Sequence, residues 1–394
     1  MSSLDLVASD NFPASWTAAV RGRFPSLPRL AYLNSGSYGL LAEPVRAAMI
    51  DYLDHRVAVG ADWDAWVSRS FLLRDRLAAL LGADQEEIAI TASASSGINA
   101  VASALDFAGG RHRILVSNYE FPTSGQIWHA QAPRGATIEH VPEDGEGRLP
   151  LETFERAIDE RVRIIALSRV CYRHGGRLLD EEVRTIARMA HARGALVILD
   201  LFQSAGAEAV DLHALEVDFA VGGTYKYLLG SAGVGYLYAR QAGTGSLVPT
   251  ATGWFAQANP GLMDIFAYDP SPSAARFQAG TPPVPSCYGS EAGAALLLDW
   301  GMPRVAAAVK ALTKRAIARF QEEGFTIATP LAAHGPMIAL RSTDAAALVE
   351  RLLERDIVTS HRDGNVRAGF HAYNDEEDLE RLVAGLTANR TLLA

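Results

Sequence analysis

Cysteine is scarce. Only Cys171 and Cys287 occur in 394 residues, far apart and without CxxC or Cys/His ligand spacing. A disulfide scaffold and a structural zinc site are therefore excluded as expectations, and no metal is expected. Positive charge is also in deficit: Lys+Arg 36 against Asp+Glu 45 leaves a net charge of −9, and no Lys/Arg-rich run appears. The electrostatic footprint of a nucleic-acid binder is missing, so no nucleic-acid partner is expected. The opening MSSLDLVASDNFPASW has neither a basic n-region nor an apolar h-region, and the chain is read as cytoplasmic. Long apolar runs are few. The stretch 219–239 carries one charge, Lys226, and five glycines. A lysine at mid-span is expensive in lipid. We read this stretch as two buried strands around a Gly-rich loop, with no membrane span. A lone lysine inside an apolar segment needs a reason.

What is present is an ample apolar fraction, 49% hydrophobic, enough for a real core in two or three domains of ~150 residues. Short apolar runs at 86–91 (EEIAIT), 113–117 (RILVS), 163–168 (RIIALS), 195–200 (ALVILD), 218–222 (DFAVG) and 234–239 (VGYLYA) predict buried strands. Between them lie helical stripes: Ile98, Val101, Ala102, Leu105, and Val183, Ile186, Ala187, Ala190. The second has Asp180 as its N-cap and Gly194 as its stop. Strands this continuously apolar belong to a mostly parallel sheet covered by helices on both faces. The predicted fold class is α/β. Residues 244–290 read as ordered loops. Ala/Leu-rich helices return at 291–324, and strands at 337–341 and 365–370 with a last helix at 375–386 predict a smaller α+β unit. The expected organisation is an N-terminal segment 1–30, a large α/β domain 31–285 and a small domain 286–394.

In an open parallel sheet, ligands gather at the C-terminal strand ends and at helix N-termini. Four features fall there. Asp200 closes ALVILD, Lys226 follows DFAVGGTY, and Ser93, Ser95, Ser96 and Gly97 precede the helix of Ile98. Phe121 follows RILVSNYE. Singly, each is ordinary: a cap, a solvated charge, a second cap, a core ring. Jointly they are what pyridoxal phosphate requires. A lysine forms the Schiff base and must be partly unprotonated. A carboxylate keeps the pyridine nitrogen protonated. Helix N–H groups and hydroxyls take the phosphate, and an aromatic face stacks on the ring.

These residues carry a resemblance that covers nearly the whole chain. The sequence resembles the class V family of pyridoxal-phosphate enzymes, of fold type I and close to kynureninases and cysteine desulfurases. YLNSGSYGLL (32–41), with Ser37, is similar to the family's loop at the substrate mouth. TASASSGIN (91–99) resembles its phosphate turn, with Ala94 and Ser95 as contacts. EFPT (120–123) implies Phe121 stacking on the ring. DLFQ (200–203) implies Asp200 on the pyridine nitrogen and Gln203 on the phenolic oxygen. GGTYKYL (222–228) implies Lys226 as the Schiff-base lysine, with Thr224 and Tyr225 on the phosphate. NVRAGFHAYN (365–374) implies Arg367 on the substrate carboxylate, a task suited to a two-pronged donor. GWF (253–255) and ARFQAGTPP (275–283) lean toward kynureninases. They imply a homodimer in which Trp254 and Thr281 reach the partner's phosphate. Tyr172 in VCYRHGG (170–176) leans the same way.

The departures narrow the reaction. Gln203 stands where kynureninases usually carry His and points to the desulfurase or epimerase-like branch. A desulfurase needs a cysteine shortly before the substrate arginine, and TSHRDGNVR (359–367) has none, so persulfide chemistry is disfavoured. Arg169 and His174 replace the family's commoner His and Thr. His174 is read either as a substrate contact or as a loop histidine. Trp128 and His129 are read as packing, with the mouth as their alternative. GSAGVG (230–235) echoes a dinucleotide fingerprint but precedes a strand where that motif must follow one, and it fails its context. Trp300 and Met302 are read as packing. The expectation is a pyridoxal-phosphate enzyme acting on a small α-amino acid by Cα–H abstraction. Transamination is the preferred outcome, and kynureninase-like hydrolysis or Cβ lysis is the alternative.

Overall fold

Residues 14–394 are described in the computed structural model. The first thirteen, and with them most of the stretch read for targeting, lie outside the described residues. The strands are β1 (Ala31–Tyr32), β2 (Ile88–Thr91), β3 (Arg113–Ser117), β4 (Thr137–Val141), β5 (Val162–Ser168), β6 (Leu196–Asp200), β7 (Phe219–Gly223), β8 (Gly235–Ala239), β9 (Met337–Arg341), β10 (Ile357–Val358), β11 (Ser360–Arg362) and β12 (Asn365–Gly369). Seven of them form one sheet in the order β2-β8-β7-β6-β5-β3-β4. Only β8 runs antiparallel to its neighbours; the other pairings are parallel. The mostly parallel α/β sheet expected from the apolar runs is thus present.

Alternation along each strand explains why those runs are unbroken. Leu115, Ile165, Val197 and Leu199 bury into one apolar cluster, while Ile114, Val116, Ile164, Ala166 and Ile198 bury into another on the opposite face. Two local expectations shift. Gln85–Glu87 form a 3-10 turn ahead of β2, held by the Asp84 N–H donating to Glu87 Oε2 (3.3 Å). Asp180 is the first residue of the helix Asp180–Ala192 and not its cap. Its carboxylate accepts from Arg169 (2.7 Å) and Arg177 (3.1 Å), while Glu182 reaches back to the Leu179 N–H (2.6 Å). Strand β4 was not foreseen. It is an edge strand, mostly exposed, so its sequence TIEHV has no apolar run to betray it.

A second antiparallel sheet, β11-β12-β9, is backed by the helices Met302–Glu322, Ala345–Leu353 and Glu376–Ala388, and their buried residues form a separate core. The units interlock more than a division at 285/286 allows. β1 pairs with β10, so Ala31 and Leu33 pack into the smaller core. The helix Val284–Trp300 instead lies on the helices Glu43–Val59 and Trp63–Leu81, and its Cys287, Ala294 and Leu297 join the sheet's core. Trp300 and Met302 are buried there as expected. The stretch 244–290 is ordered around buried Arg276, which donates to the carbonyls of Leu247 (3.0 Å), Thr244 (2.9 Å) and Ser273 (2.8 Å). No described helix is long and apolar enough to cross a membrane.

The chain's beginning is tied to its end by Arg21. It donates to the Tyr373 carbonyl (2.7 Å) and to the buried carboxylate of Asp378 (2.8 Å), which also accepts from Asn374 (3.0 Å). Asp378→Ala would remove the buried carboxylate these donors share, leaving Arg21 with the Tyr373 carbonyl and Asp375 (2.9 Å) and Asn374 with the Tyr32 carbonyl (2.9 Å). The loss of these charge-assisted bonds is expected to cost about 2 kcal/mol, read as a lower urea midpoint with the m-value retained.

Candidate active site

The C-terminal ends of β3, β5, β6 and β7 and the start of the helix Ala94–Ala104 surround one pocket. Lys226 reaches it from the loop after β7. Its side chain is buried, with Nζ 4.3 Å from the ring centre of Phe202 and 5.9 Å from that of Phe121. Removal from water disfavours the ammonium. Although the Asp200 charge opposes this, Lys226 is pulled down to about 8, with Arg367 and Arg362 adding to the fall. An appreciable share of free amine therefore exists near neutral pH.

Asp200 ends β6, facing the pocket. Burial pushes its carboxyl up, opposed by the Phe202 N–H, which donates to Oδ1 (2.7 Å), and by Lys226. That short turn also aims the Phe202 ring under Lys226. Gln203 donates from Nε2 to the Gly36 carbonyl (2.9 Å), and its Oε1 is buried without a partner. At the helix start, Ser93 spends its hydroxyl on the Ser96 N–H (3.1 Å). Ala94 and Ser95, whose N–H groups no helical carbonyl can reach, line the pocket. This close approach needs Gly235, where a Cβ would lie 2.4 Å from the Ser93 carbonyl carbon. Phe121 and Tyr172 meet edge to face at 5.0 Å, and Tyr225 lies edge-on to Phe202 at 5.1 Å. All four line the pocket.

Arg367 stands on β12 at the rim, brought down to about 10 by burial and by the nearby charge of Arg362. Its Nη1 donates to the Tyr172 carbonyl, and its Nη2 donates to Ser360 Oγ (3.0 Å) and Ser37 Oγ (3.3 Å). Ser37, read as part of the loop at the substrate mouth, thus lies beside Arg367.

Other expected residues lie elsewhere. Thr224 does not line the pocket: its hydroxyl is bonded to the Ser231 carbonyl (2.8 Å) and Ser290 Oγ (2.8 Å). His174 faces a second cavity, with Nε2 on Glu143 (3.0 Å) and Nδ1 accepting from the Gly176 N–H (3.0 Å). Trp254 is edge-on to Trp63 at 5.9 Å, and Thr281 lines a separate groove with Ser96 and Asn99. Trp128 is core, but His129 is exposed and pairs with His140 (3.0 Å), away from the mouth. Two neighbours escaped the sequence reading. Phe202 is one, two residues after Asp200. Glu120 is the other: its Oε1 is buried and unpartnered, and burial together with the Asp200 charge holds its carboxyl up at about 8.

Pyridoxal phosphate fits this donor set. A buried amine, a carboxylate beyond it, open N–H groups at a helix start and an unsatisfied amide oxygen share one pocket. Residues 70–382 match the Aminotransferase class-V family. The chain is 31% identical over 369 residues to the uncharacterized aminotransferase YcbU of Bacillus subtilis, covering 93% of this chain and 96% of that one. It is 30% identical over 410 residues to a kynureninase of Deinococcus radiodurans, covering 98% and 96%. Among solved structures, a cysteine desulfurase from Thermococcus onnurineus superposes with a TM-score of 0.84 at 24% identity, over 94% of this chain and 97% of that one. The cystine C-S lyase C-DES, in complex with cysteine persulfide, gives 0.82 at 23% identity, over 92% and 98%. These likenesses establish the fold type I architecture.

Glu120 gives the pocket a stability signature. Held at about 8 against an ordinary 4.5, it keeps a proton in the folded state that the unfolded chain has released. Its contribution to stability therefore declines as pH rises from about 5 to about 8. Glu120→Gln should gain on the wild type over that range, by several degrees in Tm at pH 8 relative to pH 5. A pH-independent difference in thermal unfolding would refute the burial of this acid beside Asp200.

Proposed function

The chain belongs to the class-V aminotransferase family, and on that premise we propose that it removes the Cα proton of a small α-amino acid and completes a transamination. The cofactor is pyridoxal 5′-phosphate. The observation that carries the reading is Lys226, an amine drawn down to about 8 in the pocket that also holds Asp200. When bound, the cofactor supplies an aldehyde that condenses with amines and a protonated ring that accepts the electron pair left at Cα. Lys226 would hold it covalently, Asp200 at the ring nitrogen and Gln203 at the phenolic oxygen. The Ala94 and Ser95 N–H groups and Tyr225 would hold the phosphate, and Phe121 would cover the ring face.

The chain's own groups then divide the work. Arg367 binds the α-carboxylate and, through the Tyr172 carbonyl and Ser37, fixes the direction from which the amino acid enters. Once displaced by the substrate's amine, Lys226 Nζ is a free base close enough to neutral pKa to take the Cα proton and return it elsewhere. Phe121, Tyr172 and Phe202 exclude water around that amine. Trp254 and Thr281 lie outside the pocket of their own chain, which supports a homodimer whose partner completes the phosphate site. Kynureninase-like Cβ cleavage is the second reading, favoured by the 30% identical kynureninase. Persulfide transfer is disfavoured by the chain's own cysteines. No cysteine precedes Arg367 on its loop, Cys171 is buried, and burial pushes the Cys287 thiol up to about 12.

The visible spectrum with added pyridoxal phosphate tests this. A band should form, borohydride should trap the cofactor on Lys226 by mass spectrometry, and Lys226→Ala should abolish both with the fold retained. In an amino-acid panel that includes kynurenine, conversion to the pyridoxamine form without an acceptor supports transamination. Turnover with the original band restored would favour Cβ cleavage instead. Arg367→Ala should mainly raise KM, costing about 2–4 kcal/mol in kcat/KM. Unchanged amino-acid affinity would remove it as the carboxylate anchor.

A further inference from the structure

The mouth of the pocket carries a cation that the reading above does not use. β11 pairs with β12 in the register Ser360↔Arg367 and Arg362↔Asn365. Because Ser360 Oγ accepts from Arg367 Nη2 (3.0 Å), the Ser360 side chain is on the face that presents the Arg367 guanidinium. Side chains two residues apart on a strand share a face, so Arg362 projects on the same side. Its charge acts on Arg367, Lys226 and Tyr172, three groups of the pocket and its rim.

Arg362 is exposed, and among the described residues no carboxylate pairs with it. Its one side-chain hydrogen bond runs from Nη1 to the carbonyl of its neighbour His361 (2.9 Å). The acids nearby are engaged. Asp363 (3.3 Å) and Glu143 (2.9 Å) both bind Arg173. Within the pocket the one acidic lining residue is Asp200, assigned to the far end of the cofactor. Asp363 is the one acid whose charge also reaches Tyr172, and it is paired with Arg173, so the substrate side keeps one more unpaired positive group than an α-carboxylate consumes. We propose that Arg362 recognises the substrate's side chain, and that the substrate is an α-amino acid with an anionic side chain, a second carboxylate or a sulfinate. A planar guanidinium at the rim would bind such a group in two-pronged fashion. Through its long-range field it would also make binding salt-dependent. This rests on the pocket and Arg367 being read as above.

The test is equilibrium binding to the pyridoxal-phosphate-loaded protein, followed by its visible band. Aspartate, glutamate and cysteine sulfinate are compared with alanine and kynurenine at 50 and 300 mM NaCl, conditions chosen at roughly 13 and 6 Å of screening length. At least one acidic amino acid should bind tenfold or more tighter than alanine at low salt, and that margin should shrink at high salt. Arg362→Gln should collapse the preference at least tenfold, and Arg362→Lys should restore part of it. If alanine or kynurenine binds as tightly as the acidic amino acids, or Arg362→Gln weakens all of them equally, the assignment is overturned while the cofactor reading stands. If no band forms and Lys226 takes no cofactor, both fall.

Discussion

An amine that must stay partly unprotonated has to be kept from water, and this places demands on everything around Lys226. Its loop is cinched from several directions. The Gly230 N–H bonds back to the Thr224 carbonyl (2.8 Å), and the Thr224 hydroxyl ties the loop to Ser231 and Ser290. From the smaller unit, His371 donates through Nε2 to the Tyr227 carbonyl (2.9 Å). Burial holds that imidazole at about 4, and its Nδ1 accepts from the Ala372 N–H, so the neutral ring carries its proton at Nε2. From the N-terminal loop, Gly39 N–H donates to the Tyr225 carbonyl (2.8 Å), in a contact so close that a Cβ would sit 2.2 Å from the Lys226 carbonyl oxygen. Three chain segments far apart in sequence thus clamp one loop.

The same clamp couples the two cores. The N-terminal loop leaves the smaller sheet at the Asn34↔Gly369 bridge and reaches the lysine loop within a few residues. Arg367 crosses in the other direction to the Tyr172 carbonyl. A carboxylate bound by Arg367 would therefore be read by both units at once. Charge follows this geometry. The charges interact across this pocket: the Asp200 carboxylate acts on Glu120 and on Lys226, and the Arg367 and Arg362 charges act on Lys226 from the side of β11 and β12. On the proposed reading, an anionic ligand entering from outside and a protonated ring nitrogen lying within would be favoured by one field.

Much of this could be read from residues alone, and for a physical reason. Strands buried on both faces have to be apolar throughout, so ALVILD and DFAVGG announce themselves, and a charge at their ends stands out. The rest depends on directions that the chain's local pattern does not encode. Edge strand β4 needs no apolar face and leaves no periodic signal. Thr224 and His174 lie at the right places in the chain, but their polar atoms turn to Ser290 and Glu143. Glu120 reads as an ordinary acid beside an aromatic until its burial is known. Arg362 lies in the run TSHRDGNVR and was not singled out, and only the register with Arg367 puts the two on one face. The interlocking of the two units was likewise hidden, because it rests on β1 and β10, two-residue strands far apart in the chain.

The pocket's inventory of proton carriers bears on the reaction itself. Besides Lys226, the titratable residues lining it are Asp200 and the tyrosines Tyr119, Tyr172 and Tyr225, and burial raises all three phenols. Near neutral pH these phenols stay protonated and cannot serve as bases. Hydrolytic Cβ cleavage asks for a base to activate water in addition to the one that takes the Cα proton. His174 and Glu143, the nearest pair suited to that task, face the other cavity across the Cys171–Gly176 turn. Transamination asks for a single base that picks a proton up at one carbon and delivers it to another. Among the pocket-lining residues Lys226 is the amine tuned close to neutral, and Glu120, held at about 8 beside Asp200, is the other group near it that titrates in this range.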